Sequence, residues 1–236
     1  MSDETAILST GPSPTVAFRA PRNTAYDEEH LSSLEAHREW ITDVSNLEVN
    51  QRTTSQRFYI AQHFRPKPGD RILDIGAYVG NNLLRYGGEG HPIDGIEIGS
   101  GYCGVWEARK GDLPADHPAR FKAQMFCAAF EEWATTRTYD QALICEVLEH
   151  VIDPTSFVAK AAALLAPGGQ LFIASPRERT RTAVREVTPA DLRRWTQETG
   201  LEVSRLFVAV ARKRNDGPRD WGVDQWICIA TKEGNR

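Results

Sequence analysis

The sequence predicts an α/β protein with a seven-stranded, mostly parallel sheet, helices on both faces, and an antiparallel last strand. Three observations lead to this prediction. From residue 70 onward, short apolar strand candidates alternate with helical segments, which is typical of a parallel sheet. A glycine-bearing turn follows the first of these strands directly. The last two strand candidates are joined by a turn-like loop containing Gly217 and Pro218, which favours an antiparallel pair.

The first 65 residues predict two segments ahead of the sheet. Residues 1–24 are rich in Ser, Thr, Pro and Gly and are expected to form a flexible tail. Apolar residues at helical spacing predict helices over 27–47 and 54–64. We therefore expect residues 25–65 to form an N-terminal helical extension that caps the domain. Residues 66–236 would form the ligand-binding domain.

Five strand–helix units follow, and then a final strand pair. Predicted strands cover residues 71–75, 93–98, 121–127, 141–145, 170–174, 203–211 and 225–231. Predicted helices cover residues 81–86, 102–110, 131–135, 154–165 and 190–199. Pro167, Gly168 and Gly169 are read as the stop of the fourth of these helices.

Composition narrows the function classes. The 236 residues carry a net charge of −4, which does not favour nucleic acid as a partner. The sequence contains no run of about 18 apolar residues, so no membrane span is predicted. The four cysteines show no paired spacing, so we expect a reducing, cytoplasmic setting.

The turn after the first strand predicts a nucleoside-type ligand. Asp74 ends an apolar run, and Gly76 and Gly80 follow it. Such sheets bind ligands at the carboxyl ends of their strands, where glycine permits close approach of the backbone. A dinucleotide fingerprint needs a middle glycine, but Tyr78 stands there. A carboxylate at position 74 would also repel a pyrophosphate, whereas it could pair with the ammonium group of an amino acid.

A second acid strengthens this interpretation. Glu97 ends the second strand, where a carboxylate can accept hydrogen bonds from both ribose hydroxyls. Together, Asp74 and Glu97 favour an amino-acid-bearing nucleoside such as S-adenosylmethionine (SAM) over NAD.

The motifs then point to a family. Residues 73–80 resemble the first motif of class I SAM-dependent methyltransferases, usually L-D-x-G-x-G-x-G, with Tyr78 in place of the middle glycine. Residues 139–154, 164–169 and 188–201 resemble the family's fourth-strand motif, its L-x-P-G-G turn, and its late helix with the sixth strand. The form E-V-L-E-H-V-x-D-P at 146–154 is most similar to the ubiquinone-biosynthesis O-methyltransferase group. The resemblance covers about residues 50–232 and implies a Rossmann-like sheet.

The resemblance also implies the cofactor contacts. Residues 127–130 would flank the adenine, and an arginine ahead of the first strand, either Arg57 or Arg52, would contact the SAM carboxylate. The implied cofactor-binding residues are Arg57, Asp74, Gly76, Tyr78, Gly80, Glu97, Ile98, Ala129, Phe130 and Cys145.

The catalytic candidates follow the fourth strand. His150, with an ordinary pKa of about 6.5, is the natural general base for a hydroxyl acceptor, and Glu146 is expected beside it. An alternative is a metal site, since Glu146, Glu149 and His150 would share one face of a helical turn and could hold Mg²⁺.

These observations predict SAM-dependent O-methylation of a small-molecule hydroxyl, on a phenol, a quinone precursor or a sugar. Two alternatives stay open at this point. One is methyl transfer to nitrogen or to an RNA 2′-hydroxyl, and the other is a SAM-fold partner protein without catalysis. The oligomeric state is not predicted.

Overall fold

The computed structural model describes residues 58–179, 183–210 and 224–234. The predicted tail at 1–24, the predicted helix at 27–47, and both Arg52 and Arg57 lie outside these ranges. Of the predicted helix at 54–64, the described part is helical from Phe58 to His63. The domain boundary placed at 65/66 stays a prediction.

The described residues form six helices and seven strands. The helices are α1 (Phe58–His63), α2 (Asn81–Gly88), α3 (Ser100–Asp112), α4 (Ala119–Lys122), α5 (Pro154–Leu164) and α6 (Pro189–Glu198). The strands are β1 (Ile72–Ile75), β2 (Ile93–Glu97), β3 (Ala123–Cys127), β4 (Tyr139–Cys145), β5 (Leu165–Pro176), β6 (Leu201–Ala209) and β7 (Gln225–Lys232).

The predicted seven-stranded sheet is confirmed. Its strand order is β3-β2-β1-β4-β5-β7-β6. Strands β1 to β5 pair in parallel, whereas β7 runs antiparallel to both β5 and β6. After β1, the chain adds β2 and then β3 on one side of β1. It then returns, and β4 pairs with the other side of β1. That reversal creates a crevice at the carboxyl ends of β1 and β4.

Helices cover both faces of the sheet. One core packs α1, α2 and α3 against the sheet through Tyr59, Leu83 and Trp106. The other packs α5 and α6 through Phe157 and Trp195. Burial of apolar surface on both faces is the main stabilising contribution to such a sheet.

Two helices on the second face begin as their sequences dictate. At α5 the Asp153 side chain accepts a hydrogen bond from the Ser156 N–H at 3.1 Å. At α6 Thr188 and Asp191 form a reciprocal capping box. A proline occupies the first turn of each helix, where the missing N–H costs nothing.

One predicted helix is wrong, and one predicted strand begins later than expected. Residues 131–135 are not helical: the N–H groups of Glu132 and Trp133 donate to the Ala129 carbonyl and close one turn, and irregular chain follows. The Lys160 ammonium group donates hydrogen bonds to the carbonyls of Glu131 and Trp133, so these carbonyls are satisfied without a helix. The third strand begins at Ala123 rather than Phe121, because Pro118 starts the short helix α4.

Strand β5 begins earlier than predicted. Leu165 already pairs with Tyr139 of β4, and the register then shifts before Gln170 pairs with Gln141. Pro167 and Gly168 therefore belong to an irregular stretch of the strand that begins after α5 has ended, with Gly168 at a φ of 78°. Within the described ranges, no helix is long and apolar enough to cross a membrane.

Candidate functional site

The candidate site lies at the carboxyl edge of β2, β1 and β4, which are neighbours in the sheet. Asp74, the third residue of β1, pairs in register with Gly95 of β2 and Leu143 of β4. The loops that follow these three strands therefore emerge side by side.

The loop after β1 needs its two glycines for different packing reasons. Gly76 has a φ of 77°, and a Cβ there would lie 2.4 Å from Cγ2 of Val147 in the loop after β4. Gly80 has a φ of 78°, and its Cβ would lie 2.4 Å from the ring of the fully buried Trp106. Side chains at either position would be strained and would clash, so the tight loop and its contact with the β4 loop depend on glycine.

Tyr78 adopts the glycine conformation without being glycine. Its φ is 52°, which is uncommon for a bulky residue. Its N–H donates to Oε2 of Glu97 at 2.8 Å, and its ring packs on Tyr102 with centroids 4.5 Å apart. These two contacts hold the loop in shape and place two aromatic rings beside it.

Glu97 joins the loops after β1 and β2. Each carboxylate oxygen accepts one backbone N–H at 2.8 Å, Oε2 from Tyr78 and Oε1 from Gly99. The side chain is 6% exposed. Burial raises its pKa, and the N–H groups of Gly99 and Tyr78 oppose that shift. Each oxygen keeps a second lone pair, so the predicted ribose contact is compatible with this arrangement.

Asp74 is the most deeply buried acid of the site. It is 1% exposed, and the Asn82 amide donates to its Oδ2 at 3.1 Å. Burial raises its pKa from 3.8 to about 7, the Asn82 hydrogen bond lowers it, and the nearby Glu97 raises it further. Two buried carboxylates with raised pKa values make this edge suited to a cation. The ammonium and sulfonium groups of SAM meet that requirement, whereas a pyrophosphate does not.

The residues implied to flank the adenine lie at the β2 and β3 ends of the site. Ile98 follows β2 and is 37% exposed, which leaves an apolar surface for a ring. Ala129 and Phe130 are buried, and the Phe130 ring packs on Phe157 with centroids 4.8 Å apart. Cys145 is half-buried at the end of β4. The roles of these four residues, and of Arg57, stay predictions.

The chain after β4 does not form the helical turn on which the metal hypothesis was based. Glu146 has a φ of 57°, a left-handed backbone that turns the chain sharply, and a tighter turn then spans Val147 to His150. Glu146, Glu149 and His150 are therefore not successive residues on one helical face. Among the residues described, no three His, Cys, Asp or Glu side chains gather in a metal-holding cluster.

Glu149 and His150 form a close acid–imidazole pair at this edge. Oε1 of Glu149 lies 3.9 Å from Nε2 of His150. The Ser175 hydroxyl donates to Oε2 of Glu149 at 3.2 Å. The Glu149 side chain is 4% exposed and that of His150 is 31% exposed. The His150 imidazole is thus accessible to a ligand, while the Glu149 carboxylate next to it is buried.

Three residues of the site were missed by sequence reasoning. Asn82 follows the glycine turn in the first turn of α2, so its position was a usable signal. Ser175, at the end of β5, is adjacent in space only because β5 pairs with β4. Tyr59 of α1 donates to Oε1 of Glu146 at 2.9 Å, and no sequence motif predicts that contact.

Comparison with known proteins agrees with this geometry. Residues 49–206 match the model of a family described as a methyltransferase domain. The chain is 30% identical over 163 residues to a ubiquinone biosynthesis O-methyltransferase of Aromatoleum aromaticum, covering 59% of this chain and 67% of that protein. It is 26% identical over 201 residues to the enzyme of the same name from Cronobacter sakazakii, covering 75% of this chain and 80% of the relative.

Solved structures share the fold. A SAM-dependent methyltransferase from Methanosarcina mazei superposes with a TM-score of 0.60 at 17% identity, covering 76% of this chain and 100% of that one. Magnesium protoporphyrin IX methyltransferase from Synechocystis, solved with bound SAM, gives a TM-score of 0.55 at 15% identity, covering 91% and 86%. A glycopeptide N-methyltransferase complexed with SAM gives 0.59 at 14% identity, covering 76% and 93%.

Proposed function

Because the chain belongs to the class I SAM-dependent methyltransferases, we propose that it methylates a hydroxyl oxygen of a small molecule, on a phenol, a quinone precursor or a sugar. The observation that carries this proposal is the contact between the two loops of the site. Gly76 of the cofactor loop lies directly against Val147, which is followed two residues later by the Glu149–His150 pair. A proton acceptor and a methyl donor would therefore meet at one edge of the sheet.

The residues present fit SAM. Asp74 would pair with the ammonium group, Glu97 would accept the ribose hydroxyls, and the glycine loop would lie against the methionine end. Bound there, SAM supplies a methyl group already activated by its sulfonium. The protein then has to align the acceptor, exclude water, and remove one proton.

His150 is assigned the role of general base. Its partly exposed imidazole takes the hydroxyl proton as the oxygen attacks the methyl carbon, the carbon–sulfur bond breaks, and S-adenosylhomocysteine is left. The buried Glu149 carboxylate, 3.9 Å from Nε2, stabilises the imidazolium that forms. Glu146 is assigned to hold the acceptor by accepting a hydrogen bond from a second hydroxyl, such as the neighbouring one of a catechol, because the reacting hydroxyl gives its one proton to His150.

Three further observations support oxygen as the acceptor atom and a small molecule as the substrate. The two relatives named above are O-methyltransferases by name. A phenolic or sugar hydroxyl requires a base, and the partly exposed imidazole of His150 is a candidate for it. The net charge of −4 disfavours an RNA 2′-hydroxyl, since RNA-binding surfaces are basic.

The test is a methyl-transfer assay with isotopically labelled SAM and a matched acceptor panel. Catechols, monophenols and sugars would be run beside anilines of the same shape and a short RNA. We expect label in catechol or phenol ethers, and label only in the amines or only in the RNA would overturn the proposal.

The Mg²⁺ hypothesis gains no support from the side chains described. A chelator titration of the active enzyme tests it separately. Turnover that survives EDTA removes the ion from the mechanism, whereas turnover that is lost and then restored by Mg²⁺ reinstates it.

A further inference from the structure

A buried tyrosine of α1 contacts the acceptor side of the site. The Tyr59 hydroxyl donates to Oε1 of Glu146 at 2.9 Å across 87 residues of sequence. Tyr59 is 1% exposed, and nothing in the motifs assigns it a role. A donor–carboxylate bond of this kind is charge-assisted and stronger than a neutral hydrogen bond.

Glu146 is held at both its backbone and its side chain. Its N–H donates to the carbonyl of Ala174 in β5 at 2.8 Å, while its φ of 57° is a strained conformation for a non-glycine residue. Such strain persists where surrounding contacts fix it, and it clusters at ligand sites. The Tyr59 bond fixes the side chain of this same residue.

Tyr59 is well placed to serve as a fixed support. Its neighbour Ile60 is buried in the same core. Phe64, just after α1, packs edge-on against Tyr86 and Phe172, with centroids 5.3 and 5.8 Å apart. Because α1 is anchored to the sheet in this way, packing in the core fixes the position of the Tyr59 hydroxyl.

We propose that Tyr59 is a positioning residue for methyl transfer: its hydroxyl orients the Glu146 carboxylate toward the acceptor and so couples α1 to the reacting end of the site. The inference rests on the proposed function, since it takes Glu146 as the group that holds the acceptor. Tyr59 is 1% exposed and its hydroxyl donates to Glu146, so its removal should affect the acceptor step and leave SAM binding intact.

The first test is Tyr59→Phe, which deletes one oxygen atom and keeps the ring in the core. With a catechol acceptor that the wild type methylates, kcat/KM falls roughly 10-fold to 100-fold, the range expected for a hydrogen bond to a charged group. The Kd for S-adenosylhomocysteine, measured by calorimetry, stays within about twofold. In a Glu146→Ala background, Tyr59→Phe causes no further loss, because it acts through Glu146.

The matched control is Tyr139→Phe. Tyr139 is also buried and donates to a carboxylate, Oδ2 of Asp94 at 2.7 Å, but at the amino edge of the sheet. This variant loses stability without a change in kcat/KM. A purely structural role for Tyr59 would make the two variants behave alike, and that result would overturn the inference.

A second readout does not depend on turnover. Hydrogen exchange of peptides spanning residues 145–151 becomes several-fold faster in Tyr59→Phe and is unchanged in Tyr139→Phe. If exchange rises but no acceptor is methylated by the wild type, the proposed function fails while the coupling stands. If the wild type methylates a catechol and Tyr59→Phe matches it in both kcat/KM and exchange, the positioning role is wrong and the proposed function stands.

Discussion

The two halves of the site are held by different kinds of interaction. On the cofactor side, at β1 and β2, the loop is shaped by positive φ angles at Gly76, Tyr78 and Gly80 and is tied to Glu97 by a backbone N–H. On the acceptor side, at β4 and β5, Glu146 and Glu149 are positioned by the side-chain hydroxyls of Tyr59 and Ser175. The first half depends on local backbone conformation and the second on contacts between distant segments.

This difference explains how proteins of one fold can act on many different methyl acceptors. The loop after β1 depends on its backbone conformation and tolerates few substitutions. Its ligand therefore stays the same when other parts of the site change. An acceptor side built from side chains of several elements can change residue by residue without disturbing the sheet. The halves should therefore be separable by mutation, and the following predictions test that separation.

The largest effect is expected at His150. His150→Ala removes the proposed base and should lower kcat for a catechol acceptor by roughly 100-fold to 10,000-fold, while the calorimetric Kd for SAM stays unchanged. His117→Ala is the control, since its ring accepts from the N–H of Ala119 at the start of α4, away from this edge. A His150→Ala enzyme with wild-type kcat would remove the base from the mechanism.

Asp74→Asn should separate binding from stability on the cofactor side. It keeps the shape of the side chain but removes the charge proposed to pair with the ammonium group, so SAM affinity should fall roughly 30-fold to 1,000-fold. The folded protein should lose no stability at pH 8, because Asp74 is buried as a carboxylate there.

Asp94→Asn gives the opposite pattern and is the matched control. It weakens the bonds from Arg137 and Tyr139 at the amino edge. Thermal unfolding should therefore shift down while SAM affinity is kept. Equal loss of SAM affinity in both variants would mean that Asp74 acts only through the fold.

Gly80→Ala tests how far the cofactor loop depends on backbone shape. The added Cβ meets the Trp106 ring at a left-handed φ, and strain plus overpacking should cost about 2–4 kcal/mol of unfolding free energy. Denaturant unfolding measures this cost. Gly90→Ala also carries a positive φ but has nothing within 4 Å of its Cβ, so it should cost less, and an equal cost would show that the Trp106 contact contributes nothing.

The smallest effect concerns pH. Asp74 has a pKa of about 7 in the folded chain, and its proposed pairing with SAM requires the ionised form. SAM affinity should therefore weaken by up to about tenfold per pH unit below pH 7 and level off above pH 8. Calorimetry between pH 5.5 and 8.5 measures the profile, and Asp74→Asn should flatten it.

The same pKa has a consequence for stability with the opposite sign. Because it is raised from 3.8 to about 7, the folded chain retains a proton that the unfolded chain releases between those values. The associated stability is present below about pH 4 and is lost as pH rises to about 7. An Asp74 contribution to unfolding free energy that increases over this window would contradict the assignment.

The sequence predicted most of the fold, including the strands and loops that bring Asp74, the glycine turn and Glu97 together. Strand–helix alternation determines the sheet, and Asp74, the glycine turn and Glu97 are close in sequence to the strands that position them. Residues 131–135 were mispredicted because Lys160, on a later helix, donates hydrogen bonds to the carbonyls of Glu131 and Trp133. The Tyr59–Glu146 contact was missed because only the folded sheet brings the two residues together.

We propose that the carboxyl edge of β1 and β2 is a SAM site built on Asp74 and Glu97. Calorimetric titration of the wild-type chain with SAM at pH 8 tests this site without the need for an acceptor. We predict one-to-one binding with a Kd on the order of 1–100 μM, within the range usual for enzyme substrates. No measurable heat at millimolar SAM, from protein whose circular dichroism shows it folded, would contradict the claim.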